Sequence, residues 1–148
     1  MRKKAVTQDA RLLLQLRRLR KEAEMRKARQ WARNRFWPQN AGDYLKVEMA
    51  HDTQESRWLR QVAAYWGMAA SFVLDGALSE RAFLNPEFSQ EMFTFFAKVQ
   101  PFLEQLRKRT GRPDLMANLE KVISKSQHTR KRLQVETRRL GALRKVGE

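Results

Sequence analysis

Apolar residues recur every three or four positions along almost the whole of this chain, and that spacing limits the folds open to it. A helix carries such residues on one face, whereas a half-buried strand needs apolar and polar residues in alternation. No segment shows sustained alternation rich in Val, Ile and Thr. The sequence therefore predicts an all-α protein, a small bundle of four to five helices with long basic helices at its N and C termini.

The first predicted helix is long and basic. It starts near Asp9, an acceptable N-cap, and runs to about Phe36. It ends there because Pro38 disfavours helical geometry in the preceding residue, Trp37. Only the first half of this helix has a continuous apolar seam, so we expect that half to dock and the rest to be solvated or to meet a partner.

Three signals divide the middle of the chain. A helical region covers residues 43–74, with a possible break near residues 51–53, and Gly76 follows as a natural stop. The run Asn85-Pro86-Glu87 supplies a cap, a first-turn proline and a first-turn acid, which is the order that a helix start requires. Pro101 lies inside the apolar pattern that follows, and it predicts a kink or two abutting helices.

The last predicted helix begins near Pro113-Asp114, after a stop at Gly111. Its inward line becomes half polar in the middle, and consists of Leu115, Leu119, Val122, Ser126, Thr129, Leu133, Glu136, Leu140 and Leu143. A line with so many polar positions favours only a partial contact with a core. We therefore expect this helix to run past the edge of the body and to fray.

The positive charge of the chain is divided unevenly. Lys and Arg number 31 against 16 Asp and Glu, which gives a net charge of +15. Residues 1–35 carry +10, residues 36–123 carry −1 and residues 124–148 carry +6, and every aromatic residue lies between residues 31 and 102. We predict a basic N-terminal helical arm (1–35), an aromatic-rich helical body (36–123) and a basic C-terminal helical extension (124–148).

Composition also excludes several classes of protein and of site. The chain has no cysteine, so it has no disulfide framework, no thiolate nucleophile and no cysteine-ligated metal. The longest uncharged stretch, residues 61–74, is shorter than the roughly 20 residues that span a bilayer. We therefore expect a cytoplasmic protein without a transmembrane segment.

Catalytic and metal-binding patterns are weak. Glu48 and His51 have the Glu-x-x-His spacing of di-iron bundle proteins, but such a site needs the pair twice with two further Glu, and the other histidine, His128, has no matching Glu. The glycines fit no phosphate-cradling loop, and no serine lies in a nucleophile elbow. We expect no enzyme activity, no cofactor and no metal.

Basic side chains on the two terminal helices are the candidate binding residues. Few acids balance them, and uncompensated like charges on a helix repel one another, which favours an anionic partner. Phosphate binding needs only such charges along a line that can follow a backbone. The candidates are Arg17, Arg18, Arg20, Lys21, Arg26, Lys27, Arg29, Arg33, Arg35, Arg130, Lys131, Arg132, Arg138 and Arg139.

A resemblance to a known family covers residues 58–123. It rests on the run Val73-Leu74-Asp75-Gly76-Ala77-Leu78 at the end of an aromatic-rich helix, an acidic and aromatic helix, and Val99-Gln100-Pro101-Phe102-Leu103 followed by Glu104 and Arg107. This layout resembles DUF4760, a bacterial family of unknown function. The resemblance implies a small helical protein and assigns no catalytic residue. Members often have a membrane-spanning segment before this region, where this chain has a charged helix.

Three functions stay open from the sequence. The first is a non-enzymatic protein whose basic terminal helices bind an anionic partner. Nucleic acid backbone is the favoured partner, and an acidic protein or another polyanion is the alternative. The second is a homo-oligomeric assembly protein in which leucines of the two ends pair, namely Leu12, Leu16 and Leu19 with Leu133, Leu140 and Leu143. The third is peripheral binding of the first helix to an anionic membrane.

Overall fold

A computed structural model of the chain describes residues 2–147, with side chains described for residues 8–146. Helices account for about four-fifths of these residues, and no strand occurs among them, which confirms the all-α prediction. The elements are α1 (Arg2–Lys21), α2 (Ala23–Asn34), α3 (Ala41–Glu48), α4 (Gln54–Leu74), α5 (Glu80–Phe83), α6 (Pro86–Val99), a 3₁₀ turn (Gln100–Phe102), α7 (Leu103–Thr110), α8 (Ala117–Ser124) and α9 (Gln127–Gly147). The described helices outnumber the four to five predicted because several predicted helices are broken.

The first predicted helix is two helices. The backbone of Glu22 is extended, with ψ of 142°, so α1 ends at Lys21 and α2 starts again at Ala23. The predicted N-cap was wrong: Asp9 lies inside α1, and its carboxylate accepts a hydrogen bond of 2.9 Å from the backbone N–H of Ser79. The side chain thus ties α1 to the segment before α5.

The boundaries predicted in the middle of the chain are confirmed. The Thr53 hydroxyl accepts from the N–H of Ser56 at the start of α4, and Asn85 caps α6 through the N–H of Glu87 at 3.0 Å. Gly76 has a φ of 79°, a conformation that favours glycine and lets the chain turn back after α4. Pro101 lies in the 3₁₀ turn between α6 and α7.

The last predicted helix is also divided. Residues 113–116 form turns, so α8 starts only at Ala117, after a residue with a positive φ, Met116. The Ser126 hydroxyl then accepts a hydrogen bond of 3.1 Å from the N–H of Thr129, which caps the start of α9. The prediction that the last helix frays beyond the body was wrong as far as Leu140, which is 5 % exposed.

Helix α6 lies at the centre of the fold, and each residue from Met92 to Val99 is buried. α9 and α2 both pack on α6, while α4 packs against α2, α3 and α8. The terminal helices contribute to the same core as the body, with Leu16, Met25, Ala28 and Trp31 from α1 and α2 and with Leu133 and Leu140 from α9. Basic residues near the two ends therefore divide into those that face α6 and those that face solvent.

Candidate anion-binding surface

A single carboxylate on α6 gathers three of the predicted arginines. Glu91 accepts two hydrogen bonds of 2.8 Å from Arg29, one to each carboxylate oxygen. Arg33 and Arg20 place guanidinium nitrogens 3.4 and 3.7 Å from the same carboxylate. Two parallel hydrogen bonds from one guanidinium give a charge pair with a defined geometry. These arginines therefore hold α1 and α2 on α6.

The protonation equilibria of this cluster follow from its contacts. Burial by itself raises the pKa of Glu91, but the hydrogen bonds from Arg29 and the charges of Arg29, Arg20 and Arg33 outweigh it, so the pKa is lowered. The hydrogen bonds to Glu91 raise the pKa of Arg29. Both groups are thus ionised at neutral pH, and the pair stays formed there.

A second buried carboxylate joins α9 to α6. Glu136 is 3 % exposed and accepts hydrogen bonds from Gln90 at 2.7 Å and from Thr94 at 3.2 Å. Arg139 completes the set through its Nε, 3.0 Å from the same carboxylate. Every partner of this buried charge is polar, as a buried carboxylate requires. The polar middle of the predicted seam is therefore a packed and satisfied contact.

Arg132 is also turned toward α6. Its guanidinium lies 4.0 Å from the ring centroid of Phe93 and donates a hydrogen bond of 2.7 Å to the carbonyl of Leu84. Burial lowers the pKa of Arg132, and the nearby charge of Glu136 opposes this shift. This side chain helps to dock α9 and is only partly accessible to a ligand.

The ends of α2 and α9 meet around a buried lysine that the sequence analysis did not single out. Lys98, 1 % exposed, donates hydrogen bonds of 2.8 and 3.0 Å to the carbonyls of Ala32 and Arg33 at the C-terminal end of α2. Its ammonium group lies 4.1 Å from the ring centroid of Trp37, and the guanidinium of Arg144 is 5.6 Å from the same centroid. A single charge inside the apolar run of α6 gave no sign of this role.

The pH dependence of stability should show that Lys98 loses its proton in the folded protein at a lower pH than in the unfolded chain. Burial lowers its pKa to about 7, the charges of Arg144 and Arg139 add to the effect, and Glu136 opposes it. An unfolded lysine titrates near 10.4, so between pH 7 and 10 the unfolded chain binds more protons. We expect the free energy of unfolding to rise with pH across that window, by at most about 1.4 kcal/mol per pH unit, and to lose this slope below pH 7.

Lys98→Met provides the comparison, because it keeps much of the apolar volume and removes the titrating group. Chemical denaturation between pH 7 and 9.5 should show a flat profile for the variant and a rising profile for the original chain. We also expect a loss of about 1–3 kcal/mol at pH 9, because the carbonyls of Ala32 and Arg33 lose their donor. If the free energy of unfolding rises with pH equally in both proteins, the rise does not come from Lys98.

The outer face of α9 contains three of the bases predicted from the sequence, Arg130, Lys131 and Arg138, together with Lys145, which was not among the predicted candidates. At 3.6 residues per turn, Arg130, Lys131, Arg138 and Lys145 fall within an arc of about 100°. All four are exposed, and the arc faces away from Leu133 and Leu140. Among the described residues, none of the four has a carboxylate within 4.0 Å; Arg130 donates instead to the carbonyl of Ser124 at 2.7 Å.

The predicted bases on α1 and α2 are less uniform. The exposed cations there are mixed with acids, since Lys27 lies 3.4 Å from Glu24, and Glu22, between the two helices, is also exposed. The exposed members of the predicted set on these helices are Arg17, Arg18, Lys21, Arg26, Lys27 and Arg33, and the exposed Arg35 follows directly after α2. The structure therefore brings the predicted residues together in two groups, and the α9 group is the one with least local compensation.

The leucines considered for pairing between the two ends lie partly inside the chain. Leu16, Leu133 and Leu140 are buried, and Leu12 packs against the core. Leu19 and Leu143 are 38 % and 46 % exposed. The buried members contact their own chain and are not on the surface that a second copy would meet.

The Glu-x-x-His pair does not form a shared site. α3 ends at Glu48, whose carboxylate lies 2.7 Å from the guanidinium of Arg112, and His51 follows in a turn with its Nδ1 3.0 Å from Arg60. Within residues 2–147, no group of three or more potential ligands lies close enough to hold a metal ion. The two side chains therefore have separate contacts.

None of the helices in the described part of the chain combines the length and apolar character needed to cross a membrane. A family model described as a domain of unknown function (DUF4760) matches residues 5–126. The match extends the predicted resemblance back through α1 and α2, and it ends one residue before α9. No curated protein and no solved structure matches the chain.

Proposed function

The chain belongs to the DUF4760 family, which has no defined activity, and we propose that it binds the phosphate backbone of nucleic acid through the outer face of α9. The observation that supports this most is the contrast between the two faces of that helix. Glu136 is the one acidic residue between residues 127 and 147, and it faces inward. Nothing on the helix itself therefore offsets the outer charges.

The dimensions of this face suit a nucleic acid backbone. Arg130 and Lys145 are 15 residues apart, which is about 22 Å along a helix. Long basic side chains along such a line can contact several successive phosphates, and such contacts read no sequence. The proposed binding is therefore electrostatic, and the exposed bases of α1 and α2 add to the same field.

Salt titration tests this function. We expect the affinity for duplex DNA or structured RNA to fall steeply as salt rises. If about six phosphates are contacted, log affinity should change against log salt with a slope near −5. Fluorescence anisotropy with labelled duplexes, measured from 50 to 200 mM salt, gives the slope directly.

Three further titrations and a measurement of mass separate this function from its competitors. Heparin, an acidic protein fragment and anionic vesicles are titrated under the same conditions, and light scattering reports the mass of the protein. Absence of duplex binding at 50 mM salt would refute the proposal. Equal or stronger binding to vesicles, or a salt-independent oligomer that binds no duplex, would favour the membrane or assembly function instead.

A further inference from the structure

An open cleft of about 600 Å³ lies between α2 and the first turns of α4. The side chains that line it include Lys27, Gln30 and Asn34 from α2, Arg35 directly after that helix, and Gln54 and Trp58 from α4. A cleft of this size is within the range that small-molecule ligands occupy. It belongs to a different part of the surface from the outer face of α9, and the function proposed above does not use it.

An anchored indole forms one wall. Trp58 is half-buried, and its ring centroid is 6.2 Å from that of Trp31, which is buried against Phe36 at 5.0 Å. Its Nε1 lies 3.4 Å from a carboxylate oxygen of Glu24. These contacts fix the ring, so that its exposed part is a rigid apolar surface. A planar ligand can stack there at a small cost in side-chain entropy.

Three side-chain amides surround the indole. Gln30 and Asn34 are one turn apart on α2, and Gln54 lies across the cleft. All three are exposed, and within the described residues their amide groups have no hydrogen-bond partner. Each carries both donors and an acceptor, which is the combination that matches the edge of a nucleobase.

The charges around the cleft are mixed. Lys27 lies in α2 and Arg35 follows the last residue of that helix, so the two cations are eight residues apart, about 12 Å along the helix axis. The carboxylate of Glu55 also lines the cleft, and that of Glu24 lies beside Lys27. This mixture of cations and carboxylates would bind a simple anion only weakly. A ligand with a planar, amine-bearing ring and flanking phosphates suits it better, because the acids accept from the amine while the cations contact the phosphates.

We propose that this cleft binds an unpaired nucleotide of a nucleic acid chain, with its base on Trp58, its base edge at the amides and its flanking phosphates at Lys27 and Arg35. The proposal rests on the function assigned to α9, since it adds recognition of an unpaired end to backbone binding. Stacking on aromatic side chains is the usual means of binding unpaired bases. The protein therefore prefers duplexes that end in a single-stranded overhang.

The test compares two DNA hairpins at 100 mM salt, one blunt and one with three unpaired adenines at its 3′ end. We expect the original chain to bind the overhang on the order of tenfold more tightly. Trp58→Leu should remove that ratio and leave the affinity for the blunt hairpin unchanged. The matched control is Phe72→Leu, another half-buried aromatic on α4 that lies away from the cleft.

A second variant protects the test against misfolding of Trp58→Leu. Gln30→Ala with Asn34→Ala changes two exposed side chains, so the fold should persist by circular dichroism while the ratio falls at least threefold. Equal affinity of the original chain for the two hairpins overturns the cleft proposal alone. Binding of the overhang without binding of the blunt hairpin overturns the α9 proposal alone, and failure to bind either hairpin overturns both.

Discussion

Removal of residues 1–30 is expected to abolish cooperative folding of the rest of the chain. The deletion takes away the buried side chains of Leu16 and Met25, which pack in the common core. Each such loss costs about 2–5 kcal/mol, a large share of the roughly 5–15 kcal/mol that stabilises an ordinary domain. A segment with a net charge of +8 thus acts as part of the core.

Polar contacts make the same deletion more costly. Tyr65 donates a hydrogen bond of 2.8 Å to the carbonyl of Leu16, and burial raises the pKa of this tyrosine to about 12. Glu91 would lose Arg29 and Arg20 and remain as a carboxylate without its main partners. A partly buried charge that loses its partner destabilises the fold strongly.

Circular dichroism during thermal unfolding measures the effect. The truncated protein should lack a cooperative transition or should aggregate. The matched control is Arg18→Gln with Arg26→Gln. Its free energy of unfolding should lie within about 0.5 kcal/mol of that of the original chain, because both side chains are exposed. A truncated protein with a sharp transition would show that α1 and α2 are separable arms and would contradict this account.

The sequence predicted the class of fold and the helix ends that depend on local chemistry. Asn85 before Pro86, the left-handed Gly76 and the proline at 101 each act through their own backbone, so a short stretch of sequence reveals them. The break at Glu22 was not predicted because no glycine or proline marks it. It allows α1 and α2 to follow the core in different directions, which is a tertiary effect.

The candidate site was predicted as a set of residues and not as a surface. Sequence alone cannot separate Arg29, which pairs with Glu91, from Arg26, which is exposed three residues away. The partner lies 62 residues further on, and only the packing of α2 on α6 brings the two charges together. Nothing local in the sequence shows that Trp58, one of the aromatic residues of the predicted body, borders a cleft with α2.

Neutralising the outer face of α9 should produce the largest change in binding. The variant Arg130→Gln, Lys131→Gln and Arg138→Gln removes three exposed cations that have no carboxylate within 4.0 Å among the described residues. Each lost phosphate contact reduces the salt slope by about 0.9, so the slope should become shallower by nearly 3. At 100 mM salt the affinity for duplex DNA should fall about a hundredfold or more.

Net charge alone could lower affinity, so the control must change it equally. Lys46→Gln, Lys108→Gln and Arg109→Gln remove the same three charges from exposed positions on α3 and α7, on the body of the protein. Both variants should keep the thermal stability of the original chain, because none of the six side chains is buried. A difference between the two variants in affinity for duplex DNA then shows which surface binds the nucleic acid.

The most direct measurement of the central claim is the salt slope of duplex binding for these two variants beside the original chain. The account predicts a slope near −5 for the original chain, a smaller change for the body variant, and a slope closer to −2 for the α9 variant. Equal slopes and affinities for the two variants would contradict it, because the binding would then depend on total charge and not on the outer face of α9.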